Sequence, residues 1–264
     1  MPTKQEHILD IAAHCKATSC LLQCCEDFGK KFDEIYSLMA SIRKSPYFIS
    51  MNELQPYVEQ TDLTCLQEDI LTILTEHEVF SADKYLSGEC NLPLSPEPQN
   101  SLTHDEVRKL KEHNLITPDM HIAFVGCGCV PTTALELIEM GYQNITIVDS
   151  DARAVEKGQQ VLNKYFNHNL DNLTVIHGLA QEMDYAPYDM IWLANFIDNK
   201  ETCMDKIIQE RKGEETIVLT RNSEGVRALV NRSIAAETLE KWGEPVARTA
   251  ISEKRINTTY IYKV

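Results

Sequence analysis

Apolar residues recur at helical spacing through the first third of the chain, then give way to short unbroken apolar runs separated by helical stretches. Over Lys4–Asp27, Ile8, Ile11, Ala12 and Cys15 fall on one face, and over Phe28–Arg43 the face is Phe32, Ile35, Leu38 and Met39. Ser50-x-x-Glu53 has the form of a capping box opening a short helix. Leu63–Leu86 predicts a long helix with Leu66, Ile70, Ile73 and Leu74 on its apolar side. Helices without strand signals predict a bundle occupying residues 1–100. The run Ser87–Ser101, SGECNLPLSPEPQNS, is rich in proline and turn formers and reads as a linker. Thr103-x-x-Glu106 predicts the cap of another helix, ending near Asn114.

From His121 the period changes. Unbroken apolar runs predict strands at Ile122–Val125, Asn144–Val148, Leu173–His177, Met190–Leu193 and Thr216–Thr220. Two more, near Pro245–Ala250 and Asn257–Lys263, flank SEKR and predict an antiparallel hairpin. Strands alternating with helices predict a parallel α/β sheet over residues 101–264.

Within that half, HIAFVGCGCVPTT (His121–Thr133) followed by ITIVDSD (Ile145–Asp151) has the layout of an adenosine site: strand, glycine turn, helix start, second strand ending in an acid. Gly126 takes the tight turn, and Gly128 permits an approach that any Cβ would block. Pro131 suits the start of a helix. Asp149 stands about 20 residues on, where an acid accepts from ribose hydroxyls. The dinucleotide pattern has a third glycine where this chain has Pro131, which favours S-adenosylmethionine over NAD. The expected cofactor contacts are Gly126, Cys127, Gly128, Pro131, Thr132, Asp149 and Ser150, with Leu179 and Ala180 after the third strand and Asn195 after the fourth. Gly178–Leu179–Ala180 contains no acid, so adenine recognition there falls to backbone groups.

Composition narrows the partners. Twenty-five basic against 40 acidic residues give a formal charge of −15, which disfavours nucleic acid and anionic membrane surfaces and favours small-molecule chemistry. MPTKQEHILDIAAHC has no uninterrupted apolar core of a signal peptide, and no run is long enough to span a membrane. The nine cysteines have no extracellular framework spacing, so the expected compartment is a reducing cytoplasm. Cys20 and Cys24 share a helical face near Cys15, Cys25 and His14. With no C-x-x-C pair, packing is expected for these cysteines rather than metal binding.

Four stretches resemble the nicotianamine synthase family, including its bacterial branch that makes staphylopine-type metallophores. VGCGCVPTT looks like the family's V-G-x-G-x-x-P-x-T signature, and YDMIWLANFID (Tyr188–Asp198) is similar to its tyrosine-aspartate-apolar strand. TRNSEGVRALV (Thr220–Val230) resembles its stretch after the fifth strand, and EKRINTTYIYKV (Glu253–Val264) its closing strand. EVFSADKYLSGE (Glu78–Glu89) is similar to a helix of the bacterial branch carrying a catalytic glutamate, which the match places at Glu78. The family's plant and archaeal members have an active-site tyrosine before the first strand, whereas Cys90–Asp119 contains none.

The resemblance implies a helical lid domain before a Rossmann-like class I S-adenosylmethionine-dependent transferase domain. It implies transfer of the aminobutyrate arm to an amino-acid amine with release of 5′-methylthioadenosine, no metal in catalysis, and a nicotianamine-like metal chelator or its precursor as product. Glu78 would take the amine's proton. Asp198, Arg221 and Arg227 are candidate substrate contacts, two arginines being suited to a carboxylate. Thr133 contacts the cofactor or begins a helix, Asn195 holds a ligand or caps the next helix, and Trp192 and His177 are expected to serve packing and strand-end bonding. A homodimer is compatible with all of this. The rival readings are a small-molecule methyltransferase on the same fold and a non-catalytic cofactor-binding partner protein.

Overall fold

The computed structural model describes residues 2–92, 101–167, 170, 173–211, 213–250 and 256–264. The centre of the predicted linker (93–100) and the predicted SEKR turn lie outside the described residues. Contacts divide the chain into two compact units. One comprises Met1–His77, Asn222–Ser233 and Ala250–Thr258, and the other Glu78–Arg221, Ile234–Thr249 and Thr259–Val264. The division thus differs from a single cut at residue 100, because two C-terminal stretches join the helical unit.

In the helical unit, α1 (Lys4–Cys24) opens on a reciprocal capping box between Thr3 and Glu6. The predicted first helix stops short of Asp27, because Asp27 caps α2 (Phe28–Lys44) instead, its carboxylate accepting from Lys30 N at 3.1 Å. The Ser50–Glu53 capping box is present at the start of α3 (Met51–Leu54). The last helix, α4 (Gln60–Ser87), enters this unit as far as His77. Ile8, Ile11, Leu38, Ile42, Leu66 and Ile70 form its core, completed by Val226, Leu229 and Val230 from the C-terminal stretch. That addition is why the boundary departs from the sequence reading: the apolar run after the fifth strand finds its cover among helices, not on the sheet.

The cysteines of α1 need correction. Cys15 is buried, but Cys20 and Cys24 are exposed, because they lie outside the face carrying Ile8, Ile11 and Leu22. Among the described residues, no group of three His, Cys, Asp or Glu side chains is arranged to hold a metal ion. No described helix is long and apolar enough to cross a membrane.

The second unit is a Rossmann-like α/β domain. Its strands are β1 (Ile122–Val125), β2 (Ile145–Asp149), β3 (Leu173–His177), β4 (Met190–Leu193), β5 (Ile217–Asn222), β6 (Ala247–Arg248) and β7 (Thr258–Lys263). They lie in the order β3-β2-β1-β4-β5-β7-β6, with β6 antiparallel to β7 as the hairpin pattern predicts. β1 pairs in parallel with β2 and β4, so its four residues are buried on both faces, as an unbroken IAFV run requires. The strand order reverses beside β1, and at such a point open sheets of this type leave a crevice at their carboxyl edge.

The helices of this unit are α5 (Leu102–Glu112), α6 (Thr132–Glu139), α7 (Ala152–Tyr165), α8 (Lys200–Glu210) and α9 (Ala236–Lys241). The predicted Thr103–Glu106 cap is not formed. Ser101 caps α5, accepting from His104 N at 3.0 Å, and both Thr103 and Glu106 lie inside the helix, buried. Glu106 is instead the partner of Arg221 on β5. Arg221 Nε donates to Glu106 Oε1 at 2.9 Å and Nη2 to Glu106 Oε2 at 2.7 Å. Nη2 also donates to Thr133 Oγ1 on α6 at 2.9 Å, and Thr259 of β7 donates to Glu106. One buried ion pair therefore ties together two helices and two strands.

Candidate active site

The turn from β1 to α6 is built by two glycines in the left-handed region. Gly126 has φ +79° and Gly128 φ +67°, values that side-chain-bearing residues rarely adopt. Gly126 N and Cys127 N donate to Val148 O at 2.8 and 3.1 Å, fixing the turn to the end of β2. Gly128 N donates to Asp149 Oδ2 at 2.9 Å, and Asp151 N to Asp149 Oδ1 at 3.0 Å. Each Asp149 oxygen so keeps a lone pair for a further donor such as a ribose hydroxyl. Pro131 occupies the N-cap of α6, with its carbonyl accepting from Leu135 N at 3.0 Å.

The group that approaches Gly128 is Glu78. A Cβ built on Gly128 would lie 2.7 Å from Glu78 Cδ and closer still to both carboxylate oxygens. Val130 N donates to Glu78 Oε1 at 3.4 Å. Burial raises the Glu78 pKa to about 7, the backbone bond from Val130 opposes this, and the charge of Asp149 adds to the rise. A carboxyl group is thus held on the glycine turn, half in its proton-accepting form near neutral pH. Cys127 and Cys129 flank Gly128, both buried, and burial pushes the Cys129 thiol up to about 12 and Cys127 higher. Neither is a nucleophile at neutral pH.

Asn195 follows β4 at the carboxyl edge of the sheet, where Ala194 N donates to Val125 O at 3.0 Å. Its Oδ1 is buried and has no hydrogen-bond partner among the described residues, an acceptor left open beside the turn's own strand. An acid at the end of β2 and an open acceptor after β4 suit an adenosine ligand, while the space beside the Gly126 and Gly128 Cα atoms is taken by Ile197 and Glu78.

No protein-family model matches the chain, and no curated protein matches it in sequence. Solved structures do. A glutamate-to-glutamine variant of MtNAS in complex with S-adenosylmethionine superposes with a TM-score of 0.72 at 15% identity, over 96% of this chain and 97% of that one. MtNAS in complex with MTA and tNA gives 0.72 at 14% identity, over 100% and 99%. This is the fold of MtNAS, a nicotianamine synthase. The likeness runs the whole length of both chains, so the helical region is part of what MtNAS and this protein share.

On that fold the remaining predicted residues separate. Thr132 begins α6, and Thr133 is buried and bonded to Arg221. Ser150 is exposed at the end of β2, with its carbonyl bonded to His177 Nε2 at 3.0 Å, so His177 is a strand-end residue as expected. Leu179 is 41% exposed, while Ala180 is buried and accepts from Tyr185 OH at 2.8 Å. Asn195 does not cap the next helix: Asn199, with φ +54°, precedes α8. Asp198 is exposed on the same loop, and Trp192 is fully buried. Arg221 has its Nε and Nη2 engaged by Glu106, which gives it a part in joining α5 to β5.

Sequence reasoning missed Gly158 on α7. A Cβ there would meet Gly128 O at 3.1 Å, so Gly158 supplies the close helix approach that the turn's own third position, occupied by Pro131, cannot. A helical glycine some thirty positions downstream carries no local signal of that role.

Gly128→Ala tests the turn. The new Cβ cannot coexist with Glu78 in its observed place, but a carboxylate at the end of a side chain can swing away. The stability loss should therefore stay near the backbone strain of about 1–2 kcal/mol. Activity should fall by far more, on the order of 10²-fold, if the displaced Glu78 carboxylate takes part in the reaction. Thermal melting and steady-state rates on the same preparation separate the two effects.

Proposed function

We propose that the protein transfers the 3-amino-3-carboxypropyl (aminobutyrate) arm of S-adenosylmethionine to the amine of an amino acid, releasing 5′-methylthioadenosine. The product would be a nicotianamine-like chelator or its precursor. The observation that carries the reading is the Glu78 carboxyl group on the glycine turn with its pKa raised to about 7. When bound, S-adenosylmethionine supplies an electrophilic carbon next to a sulfonium, with a neutral thioether as leaving group.

The protein's contribution is to hold and deprotonate. Asp149 and Asn195 would take the nucleoside, with Leu179 and the Gly126–Gly128 backbone against it. Glu78 would accept the proton that the attacking ammonium must lose. Magnitude favours a glutamate with a raised pKa for this work. Raising the carboxyl from 4.5 to about 7 makes it a stronger base by about 2.5 units, which lowers the uphill proton transfer from an ammonium by about 3.4 kcal/mol. The whole-length likeness to MtNAS with MTA and tNA bound supports the same reading.

The test is to incubate the purified protein with S-adenosylmethionine and a pool of amino acids and to identify the nucleoside by mass. Methylthioadenosine, together with an amino acid heavier by one aminobutyrate unit, is expected. S-adenosylhomocysteine would instead make the protein a methyltransferase.

A further inference from the structure

Two exposed thiols meet at the end of α1. Cys20 and Cys24 stand one helical turn apart, at i and i+4, and both are exposed. The Cys24 thiol is hydrogen-bonded to that of Cys20, so the two sulfurs are in contact. Desolvation and that bond push the Cys24 thiol up from its ordinary value, so it keeps its proton at neutral pH. The adjacent Cys25 lies beyond the helix as its C-cap, and its Sγ donates to Asp27 O at 3.9 Å.

This arrangement argues against the familiar fates of paired cysteines. A disulfide needs Cβ atoms about 3.5–4.5 Å apart, whereas helical positions i and i+4 hold them about 5–6 Å apart. Forming one also starts from a thiolate, which Cys24 is slow to become. A structural zinc takes four ligands, and among the described residues no third His, Cys, Asp or Glu joins the pair to hold a metal ion. A linear two-coordinate ion such as Cu(I) or Hg(II) keeps its sulfurs on opposite sides, farther apart than thiols in contact. The centre that fits takes two sulfurs on one side and brings its own third substituent. Trivalent arsenic in an organoarsenical is such a centre, being thiophilic, pyramidal and three-coordinate.

Space for the substituent is present in the same helical unit. Cys20 lines a cavity of about 250 Å³, to which Cys15, Val58 and Leu66 give an apolar wall. The formal charge of −15 favours a neutral ligand, which R–As(OH)₂ is at neutral pH. The geometry points to Cys20 and Cys24 as a chelating site for trivalent organoarsenicals. On binding, both S–H bonds and both As–OH bonds break, two As–S bonds form and two waters leave. Arsenic stays trivalent and nothing is oxidised. The product bridges one turn of α1 at the spacing the helix already provides. The site neither uses nor depends on the proposed transfer.

The test uses the reduced full chain, with phenylarsine oxide as the probe and excess β-mercaptoethanol to strip adducts held by a single sulfur. Intact mass should show one phenylarsenic group per wild-type chain, and peptide mapping should show Cys20 and Cys24 protected from alkylation. Cys20→Ser and Cys24→Ser should each weaken retention by on the order of 100-fold, because the second, intramolecular bond is lost. Both positions are exposed, so serine there leaves the fold intact, and circular dichroism checks this. Cys25→Ser should bind as wild type does. Retention that survives Cys20→Ser but is lost in Cys25→Ser would place the bridge on the adjacent pair Cys24–Cys25 and overturn the proposal. A wild-type chain that retains no phenylarsenic, or one whose adduct maps to any other cysteines, would overturn it equally.

Discussion

Glu78→Gln should lower the rate of methylthioadenosine formation by about 10²–10³-fold while S-adenosylmethionine still binds. The glutamine keeps the shape of the side chain on Gly128 but cannot accept a proton. In wild type, kcat/KM should rise with pH through about 7, as Glu78 loses its proton. That limb should vanish in the variant, leaving only the titration of the amine itself. A second consequence follows from the same shift and has the opposite sign for stability. The folded pKa, about 7, lies above the ordinary 4.5, so between those values the folded chain binds more protons than the unfolded one. Stability attributable to Glu78 is complete below about 4.5 and is lost as pH rises toward 7. At pH near 8 the carboxylate costs on the order of 1–3 kcal/mol, and Glu78→Gln should melt higher than wild type there but not at pH near 4. A variant that is both inactive and more stable at alkaline pH is what a base held under tension predicts. An exposed glutamate would give neither result, and either absence removes Glu78 from the reaction.

How much of this was legible before folding depends on whether the cause is local. β1 and β4 begin and end where the apolar runs do, because a parallel strand buried on both faces needs every residue apolar and a polar residue ends it. The Gly126–Gly128 turn and Asp149 are equally local. Asp27 was misread because a capping residue and a helix-terminal residue differ only in which helix uses the side chain. Thr103 and Glu106 satisfied the spacing of a capping box, yet their partners are Thr133 and Arg221, 30 and 115 positions away respectively. The same limit hid the membership of Asn222–Ser233 in the helical unit and the packing of Gly158.

Glu78 illustrates the limit best. Nothing in the pattern of α4 separates it from Glu76, two positions earlier on the same helix. Only the resemblance to a family helix singled it out, and its distinguishing surroundings come from Gly128 and Val130, some fifty residues later. Arg221 and Arg227 were likewise indistinguishable in TRNSEGVRALV. In the folded protein one is matched by an acid and the other is not.

Glu106→Gln should be among the most destabilising single substitutions in the sheet unit. Glu106 is fully buried, and both of its oxygens accept from Arg221. Removing its charge leaves a buried guanidinium uncompensated, at a cost of about 3–5 kcal/mol. For a chain of this size that corresponds to a Tm lower by on the order of 10 °C, readable by circular dichroism. The loss should be insensitive to added salt, since a dry pair is little screened. Replacing both partners with apolar residues of similar volume, Glu106→Leu with Arg221→Met, should recover most of it, because the penalty arises from the unpaired survivor and not from the absence of the pair. The comparison also decides what Arg221 is for. If its role were to grip a substrate carboxylate, freeing its fork by Glu106→Gln would lower the acceptor's KM, and the double variant would fold well but lose affinity for the acceptor. If its role is to join α5, α6, β5 and β7, the double variant should regain stability and acceptor affinity together, since the Thr133 end of α6 again has a packed neighbour behind the glycine turn.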